Sequence, residues 1–223
     1  MISEKLAAIK DKLPDNVTLI AVSKTYPASD LQLAYLAGQR HFGENKVQEI
    51  TEKQAVLAKD IQWHFIGHLQ SNKVKYIAPF ISLIHSVDSF KLLQEINKQA
   101  VKNDRILDCL LQFHIASEET KFGLSLDEAK ELLESEAFLH LKNIRITGIM
   151  GMASFTEDQE KVRAEFKQLY QIFQFLKSTY FSENSTFKEI SMGMSGDFEL
   201  AIEEGSTEIR IGSAIFGARD YPA

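Results

Sequence analysis

The chain has 223 residues, with 25 Lys and Arg against 31 Asp and Glu for a formal charge of −6, and 44% of it is hydrophobic. That is long and apolar enough for a full core, and it excludes disorder, collagen and coiled coil. A mildly acidic chain offers no global field to phosphate backbones, so no nucleic-acid partner is expected. No apolar run nears the roughly 18–20 residues that span a bilayer, so no membrane partner is expected either.

The lone cysteine, Cys109, allows no intrachain disulfide and no cysteine-based zinc cluster. The opening Met1-Ile-Ser-Glu-Lys5 lacks the basic-then-apolar pattern of a secretory signal, which makes the cytoplasm the expected compartment. Four prolines and no Gly/Ser tract mark no linker, so residues 1–223 read as one domain.

In chain order, Leu6, Ile9 and Leu13 mark one face of an opening helix closed by Pro14. Residues 17–22, Val-Thr-Leu-Ile-Ala-Val, have the β-branched content of a buried strand. The pattern then predicts a helix over 30–37 stopped by Gly38, a strand over 41–43, a helix over 46–59, a strand over 61–67 and a short helix over 72–77. A strand over 81–87 and a strongly amphipathic helix over 89–102 follow. The second half repeats the alternation. Strands fall at 106–115, 144–150, 187–192 and 208–211, and helices at 125–135, 158–180 and 198–204. Ser125-Leu-Asp-Glu128 forms a capping box.

Eight strands separated by helices predict a parallel sheet covered on both faces. Eight such units in this length fit a closed (β/α)8 TIM barrel with an additional N-terminal helix. The competing open doubly wound sheet usually carries a glycine-rich turn after its first strand. Here that turn is Ser23-Lys-Thr-Tyr-Pro27, with no glycine.

A barrel carries its site at the C-terminal ends of its strands. The polar residues there are Lys24, Glu44, Asn45, His68, Gln70, Asp88, His114, Ser154, Ser195, Asp197, Arg210 and Ser213. Lys24 directly follows a buried-type strand. Partial burial and neighbouring cations disfavour its ammonium form, and a neutral lysine amine forms Schiff bases with carbonyl compounds. The blander reading is a surface lysine opening a loop.

Ser191-Met-Gly-Met-Ser-Gly-Asp197 follows the seventh strand and Arg210-Ile-Gly-Ser213 forms and follows the eighth, the two loops with which barrels commonly bind phosphate. Gly193, Gly196 and Gly212 let backbone N–H groups approach an anion, and Ser195 and Ser213 add hydroxyls. Tight barrel turns are the blander alternative. Strand eight neighbours strand one in a closed barrel, so a ligand with both a phosphate and an aldehyde would bridge the cup and the lysine. Pyridoxal 5′-phosphate (PLP) has both; so do the sugar phosphates of Schiff-base aldolases.

Several segments carry a resemblance: Ala21-Val-Ser-Lys-Thr25, Phe42-Gly-Glu-Asn45, residues 63–73 from Trp63 to Lys73, His85-Ser-Val-Asp88, Ser191 to Asp197, and Thr207 to Gly217. In order and over nearly the whole chain from residue 17, the sequence resembles the pyridoxal phosphate homeostasis protein family. Its members are similar to the barrel domain of alanine racemase (fold type III) without the extra β-domain. The resemblance implies that Lys24 carries the Schiff base with PLP and that Arg210 lies near the pyridine nitrogen. It also implies that Ser195, Gly212 and Ser213 hold the phosphate, with Asn45 a further contact.

Arginine is permanently protonated and opposes a second positive charge on the ring, which weakens the cofactor as an electron sink. Racemases of this fold use a tyrosine from a partner's β-domain, and this sequence is expected to lack such a domain. The resemblance therefore implies a protein of intracellular vitamin B6 homeostasis. It would hold PLP and hand it to PLP-dependent apo-enzymes, as a monomer or weak dimer, without efficient turnover. The alternatives are a PLP-dependent amino-acid racemase and a cofactor-free Schiff-base aldolase.

Two segments depart from the family pattern. They are Leu111-Gln-Phe-His-Ile115, where Gln-Val-Asn is more usual, and Glu119-Thr-Lys-Phe-Gly123, with Phe122 at a commonly small or variable position; they bear on pocket shape rather than on cofactor anchoring. Other features have plain readings. His64 and His68, four apart in a strand, are not a metal pair, and His64 reads as packed or cofactor-adjacent. Cys109 reads as a buried inert thiol. Phe166, Leu169, Tyr170, Phe173 and Leu176 read as core, and Lys73 and Lys75 as a small basic spot or a solvated helix face.

Overall fold

The computed structural model describes residues 1–117 and 122–217. Eight strands form β1 Thr18–Val22, β2 His41–Glu44, β3 Gln62–Phe65, β4 Leu83–Val87, β5 Leu107–Phe113, β6 Ile144–Gly151, β7 Glu189–Ser191 and β8 Glu208–Ile211. They pair in sequence order, all parallel, and β8 closes on β1 with Ile20 opposite Arg210 and Ala21 opposite Ile211. The connecting helices are α2 Ala28–Leu36, α3 Val47–Val56, α4 Val74–Ile77 after a 3₁₀ turn Ser71–Lys73, α5 Phe90–Lys102, α6 Leu126–Glu134, α7 Glu136–Leu139, α8 Gln159–Thr179 and α9 Phe198–Glu203. The additional N-terminal helix α1 Ile2–Lys10 lies against α2 and the final turn α10 Ser213–Phe216.

The strands alternate between two environments. Trp63 and Phe65 of β3 and Ile209 and Ile211 of β8 join the main apolar core between sheet and helices. His64, Glu208 and Arg210, which alternate with them along the strands, are buried inside the barrel. The apolar cluster formed by Leu83, Leu110 and Met150 is small and separate from the main core. The core between the layers therefore supplies most of the hydrophobic stabilisation, at about 1.5–3 kcal/mol for each fully buried large side chain. The interior is free to carry polar groups.

The expected elements form, with shifted ends. Helix α2 starts at Ala28, earlier than expected, because Pro27 presets an extended N-cap; Gly38 follows its end at φ +88°. Helix α3 stops at Val56 because Leu57 turns extended and buries its side chain. The capping box forms as expected: Ser125 Oγ accepts the Glu128 N–H at 3.2 Å, and the Glu128 carboxylate accepts the Ser125 N–H at 2.8 Å. The short helices α7 and α10 are too brief for periodicity to signal. Tyr170 of α8 is not core: it stays about one-third exposed and lies over Gly205, while its stripe partners are buried.

Candidate functional site

A cavity of about 740 Å³ opens at the C-terminal ends of the strands. Lys24, Asn45, Ser195, Arg210, Gly212 and Ser213, the residues the sequence singled out as a set, all line it.

Lys24 is held by its neighbours. Ser23 donates its N–H to the Gly43 carbonyl at 2.9 Å and its hydroxyl to Glu44 Oε1 at 2.6 Å. The buried Lys53 donates to the Ser23 carbonyl at 2.8 Å and to Glu44 Oε1 at 2.7 Å. On the other side Thr25 sits at φ +71° and donates its N–H to Glu49 Oε2 at 2.7 Å. A β-branched residue in the left-handed region costs on the order of 1–3 kcal/mol, which these fixed partners offset. Burial pushes the Glu44 carboxyl up, and the Lys53 ammonium opposes that shift.

Arg210 is buried. Its Nη1 donates to Ser191 Oγ at 2.7 Å and its Nη2 to the Gly151 carbonyl at 3.1 Å. Burial lowers it to about 10, with Asp197 and Glu208 opposing, so it remains a cation at neutral pH.

At the β7–β8 end, Gly193 takes φ +96°, and a Cβ there would meet Ala201 at 2.6 Å, so this turn requires glycine. Ser195 Oγ accepts the Gly212 N–H at 3.4 Å and lies 3.5 Å from Ser213 Oγ. The N–H groups of Ser195, Gly196, Ser213 and Ala214 find no acceptor among the described residues. Hydroxyls and unpartnered amides on two adjoining loops suit a phosphate. Across the cavity the buried Asn45 Oδ1 has no hydrogen-bond partner among the described residues, an acceptor left for a ligand's donor.

Residues 1–220 match the family model described as the alanine racemase N-terminal domain. A pyridoxal phosphate homeostasis protein of Aquifex aeolicus (strain VF5) is 42% identical over 204 residues, covering 91% of this chain and 87% of its own length. The pyridoxal phosphate homeostasis protein of Escherichia coli (strain K12) is 38% identical over 234 residues, covering 99% and 97%.

The chain belongs to the pyridoxal phosphate homeostasis protein family.

PipY of Synechococcus elongatus PCC7942, at 37% identity over 97% of this chain and 100% of its own, superposes with TM-scores of 0.91 without PLP and 0.87 with PLP bound. Alanine racemase of Clostridium difficile 630, at 15% identity and a TM-score of 0.73, shares the barrel fold over 56% of its length. The residues of the cavity fit the family's cofactor: a lysine at a strand end, hydroxyls and open amides at the next seam, and a buried guanidinium between them.

Sequence reasoning missed Lys53, whose place in α3 looks like a solvated helix position. It also gave Ser23 and Ser191 no role. His68 and Asp88 are indeed at the mouth: their Nδ1 and Oδ2 lie 3.1 Å apart, and the His68 ring stacks on Phe122 with centroids 4.1 Å apart. The departure at Phe122 therefore reshapes the cavity rim, and Gln112, which keeps the usual residue, donates to the Phe122 carbonyl at 2.9 Å. The Glu119-Thr-Lys121 part of that departure lies outside the described residues.

Of the two readings of His64, the packed one holds and the cofactor-adjacent one does not. It lines a second cavity at the N-terminal end of the barrel, with His41 and Glu208, because its β3 position points inward below the mouth. Cys109 is buried, and burial pushes its thiol up, as an inert core residue requires. Lys73 and Lys75 are exposed and flank the Tyr76 ring, their Nζ atoms 5.7 and 5.0 Å from its centroid.

Proposed function

We propose that this chain binds pyridoxal 5′-phosphate, holds it through a reversible Schiff base on Lys24, and serves PLP homeostasis as a holder and donor of the cofactor. The observation that carries this reading is one cavity lined by Lys24, Arg210 and the Ser195–Ser213 cup. PipY, solved with PLP bound, is 37% identical over nearly the same length. When bound, PLP supplies an aldehyde that condenses reversibly with an amine.

Every other role falls to the chain. Lys24 presents its amine from a loop clamped on both sides. Ser195, Ser213 and the Gly212 loop bind the phosphate, and Asn45 Oδ1 accepts from a ligand hydroxyl or N–H. Arg210 keeps a fixed positive charge in the cavity and opposes protonation of any basic group placed beside it. That opposition withholds the strong electron sink that racemisation and transamination need. It accords with the homeostasis names of the relatives and with a protein that is not an efficient enzyme. The single barrel over residues 1–223, acting in the cytoplasm with PLP-dependent apo-enzymes as recipients, completes this reading.

The test is the absorption spectrum of the purified protein beside Lys24→Ala, with and without added PLP. An imine band in the first and none in the second is expected. Equal bands in both would remove Lys24 from its role, and no band in either would remove the cofactor.

A further inference from the structure

Three histidines stand end to end inside the barrel, and the proposed function uses none of them. His41 Nδ1 lies 2.9 Å from His64 Nε2, His64 Nδ1 lies 2.8 Å from His85 Nε2, and His85 Nδ1 lies 2.9 Å from Ser191 Oγ. Ser191 Oγ in turn accepts Arg210 Nη1 at 2.7 Å. His41 and His64 open on the cavity at the N-terminal end, and Arg210 lines the one at the C-terminal end. One unbroken file of hydrogen bonds thus joins the two ends of the barrel.

Counting protons gives the file a direction. A guanidinium only donates, so Ser191 Oγ is its acceptor. The Ser191 hydroxyl proton then needs an acceptor of its own, and among the described residues His85 Nδ1 is the one within reach. His85 therefore carries its proton on Nε2 and donates to His64 Nδ1. His64 donates from Nε2 to His41 Nδ1, and His41 is left with an Nε2–H.

The reverse sense would have Ser191 accept twice and leave its own buried proton unpartnered, a cost of about 1–3 kcal/mol. The charge on Arg210 favours the same sense, since every N–H and O–H then points away from it. Burial holds all three imidazoles neutral: His64 falls to about 3, His85 lies well below the ordinary range, and His41 is lowered.

A metal is the competing reading, because ligand atoms of His64, His85 and Glu208 lie within 4.8 Å of one another. Yet all four ring nitrogens of His64 and His85 are already engaged in the file. Glu208 Oε2 stands 3.8 Å from His85 Nδ1, pushed up to about 8 by burial and therefore largely protonated at neutral pH.

We propose that Ser191 and His85, backed by His64 and His41, are positioning residues for Arg210: the file locks one tautomer sense and so presents the Ser191 oxygen to the guanidinium. This holds Arg210 still at its place in the cofactor cavity, and it rests on the reading that the cavity takes PLP.

Two measurements on the full chain test it. In the first, imidazole ¹⁵N shifts of labelled protein at neutral pH, with and without PLP, should show His64 and His85 as neutral Nε2–H tautomers. Nδ1–H tautomers, imidazolium signals, or about one bound metal ion per chain at these rings would overturn the proposal. In the second, PLP release into an excess of competing amine is compared for wild type, Ser191→Ala and Ser191→Thr. Loss of a hydrogen bond to a charged donor should speed release by about tenfold in Ser191→Ala, and the restored hydroxyl of Ser191→Thr should return it to near the wild-type rate. Equal release from all three would overturn the positioning role while leaving the Lys24 linkage intact. A wild type that forms no linkage would defeat the proposed function instead, and the ¹⁵N tautomers would still decide the file.

Discussion

Lys24 owes its setting to groups that are remote in sequence. The carbonyl before it is held by Lys53 from α3, and the amide after it by Glu49. The lysine was legible only together with the loops after β7 and β8: alone, a lysine directly after a buried strand reads more readily as a surface residue opening a loop, and the phosphate cup expected on the adjoining strands is what singled it out. Lys53 was not, because its partner Glu44 lies on β2 and nothing in the spacing marks either as buried. Removing one partner of a buried ion pair leaves the other uncompensated. Lys53→Met should therefore cost about 3–5 kcal/mol in urea unfolding and slow the loading of PLP. Lys53→Met combined with Glu44→Leu should recover much of the stability while loading stays slow, since the Ser23 carbonyl remains without its donor. Full loading rates in both variants would show that the clamp does not position Lys24.

At the scale of elements, the alternation of short apolar runs and amphipathic helices was sufficient for the barrel. The 3.6 and 2.0 periods are local, and strict alternation leaves few topologies. What periodicity could not give was the inside of the barrel. His41, His64 and His85 come from the neighbouring strands β2, β3 and β4 and Ser191 from β7, and only closure of the barrel brings Ser191 to His85. The β6–β7 pairing also depends on one residue: at Gly148 a Cβ would overlap the carbonyl of Glu189 on the neighbouring strand. Gly148→Ala must push β7 away, and β7 carries Ser191 and leads into the Ser195 loop. The variant should lose several kcal/mol on thermal unfolding and bind PLP weakly even where it stays folded. Wild-type melting would show that β6 can yield at this point.

At the scale of the whole molecule, the polar interior makes stability depend on pH from two sides. His64, ordinarily near 6.5, falls to about 3 in the fold, so its neutral form contributes stability above 6.5 that is lost as pH falls toward 3. Glu208, ordinarily near 4.5, rises to about 8, so its contribution is full below 4.5 and is lost as pH rises to 8. Between about pH 4.5 and 6.5 the two slopes oppose and cancel, so stability should stay level there, fall below that window, and decline by roughly 2 kcal/mol from pH 6.5 toward pH 8, at about 1.4 kcal/mol per pH unit. Glu208→Gln should abolish the alkaline decline in urea titrations, and an unchanged decline would mean the carboxyl is ionised throughout. The proposed function rests on one covalent linkage, which the intact chain would report directly. After incubation with PLP and reduction by borohydride, its mass should rise by one phosphopyridoxyl group, and peptide mapping should place that group on Lys24. A chain modified at another lysine, with Lys24 untouched, would contradict the linkage on which the proposed function stands.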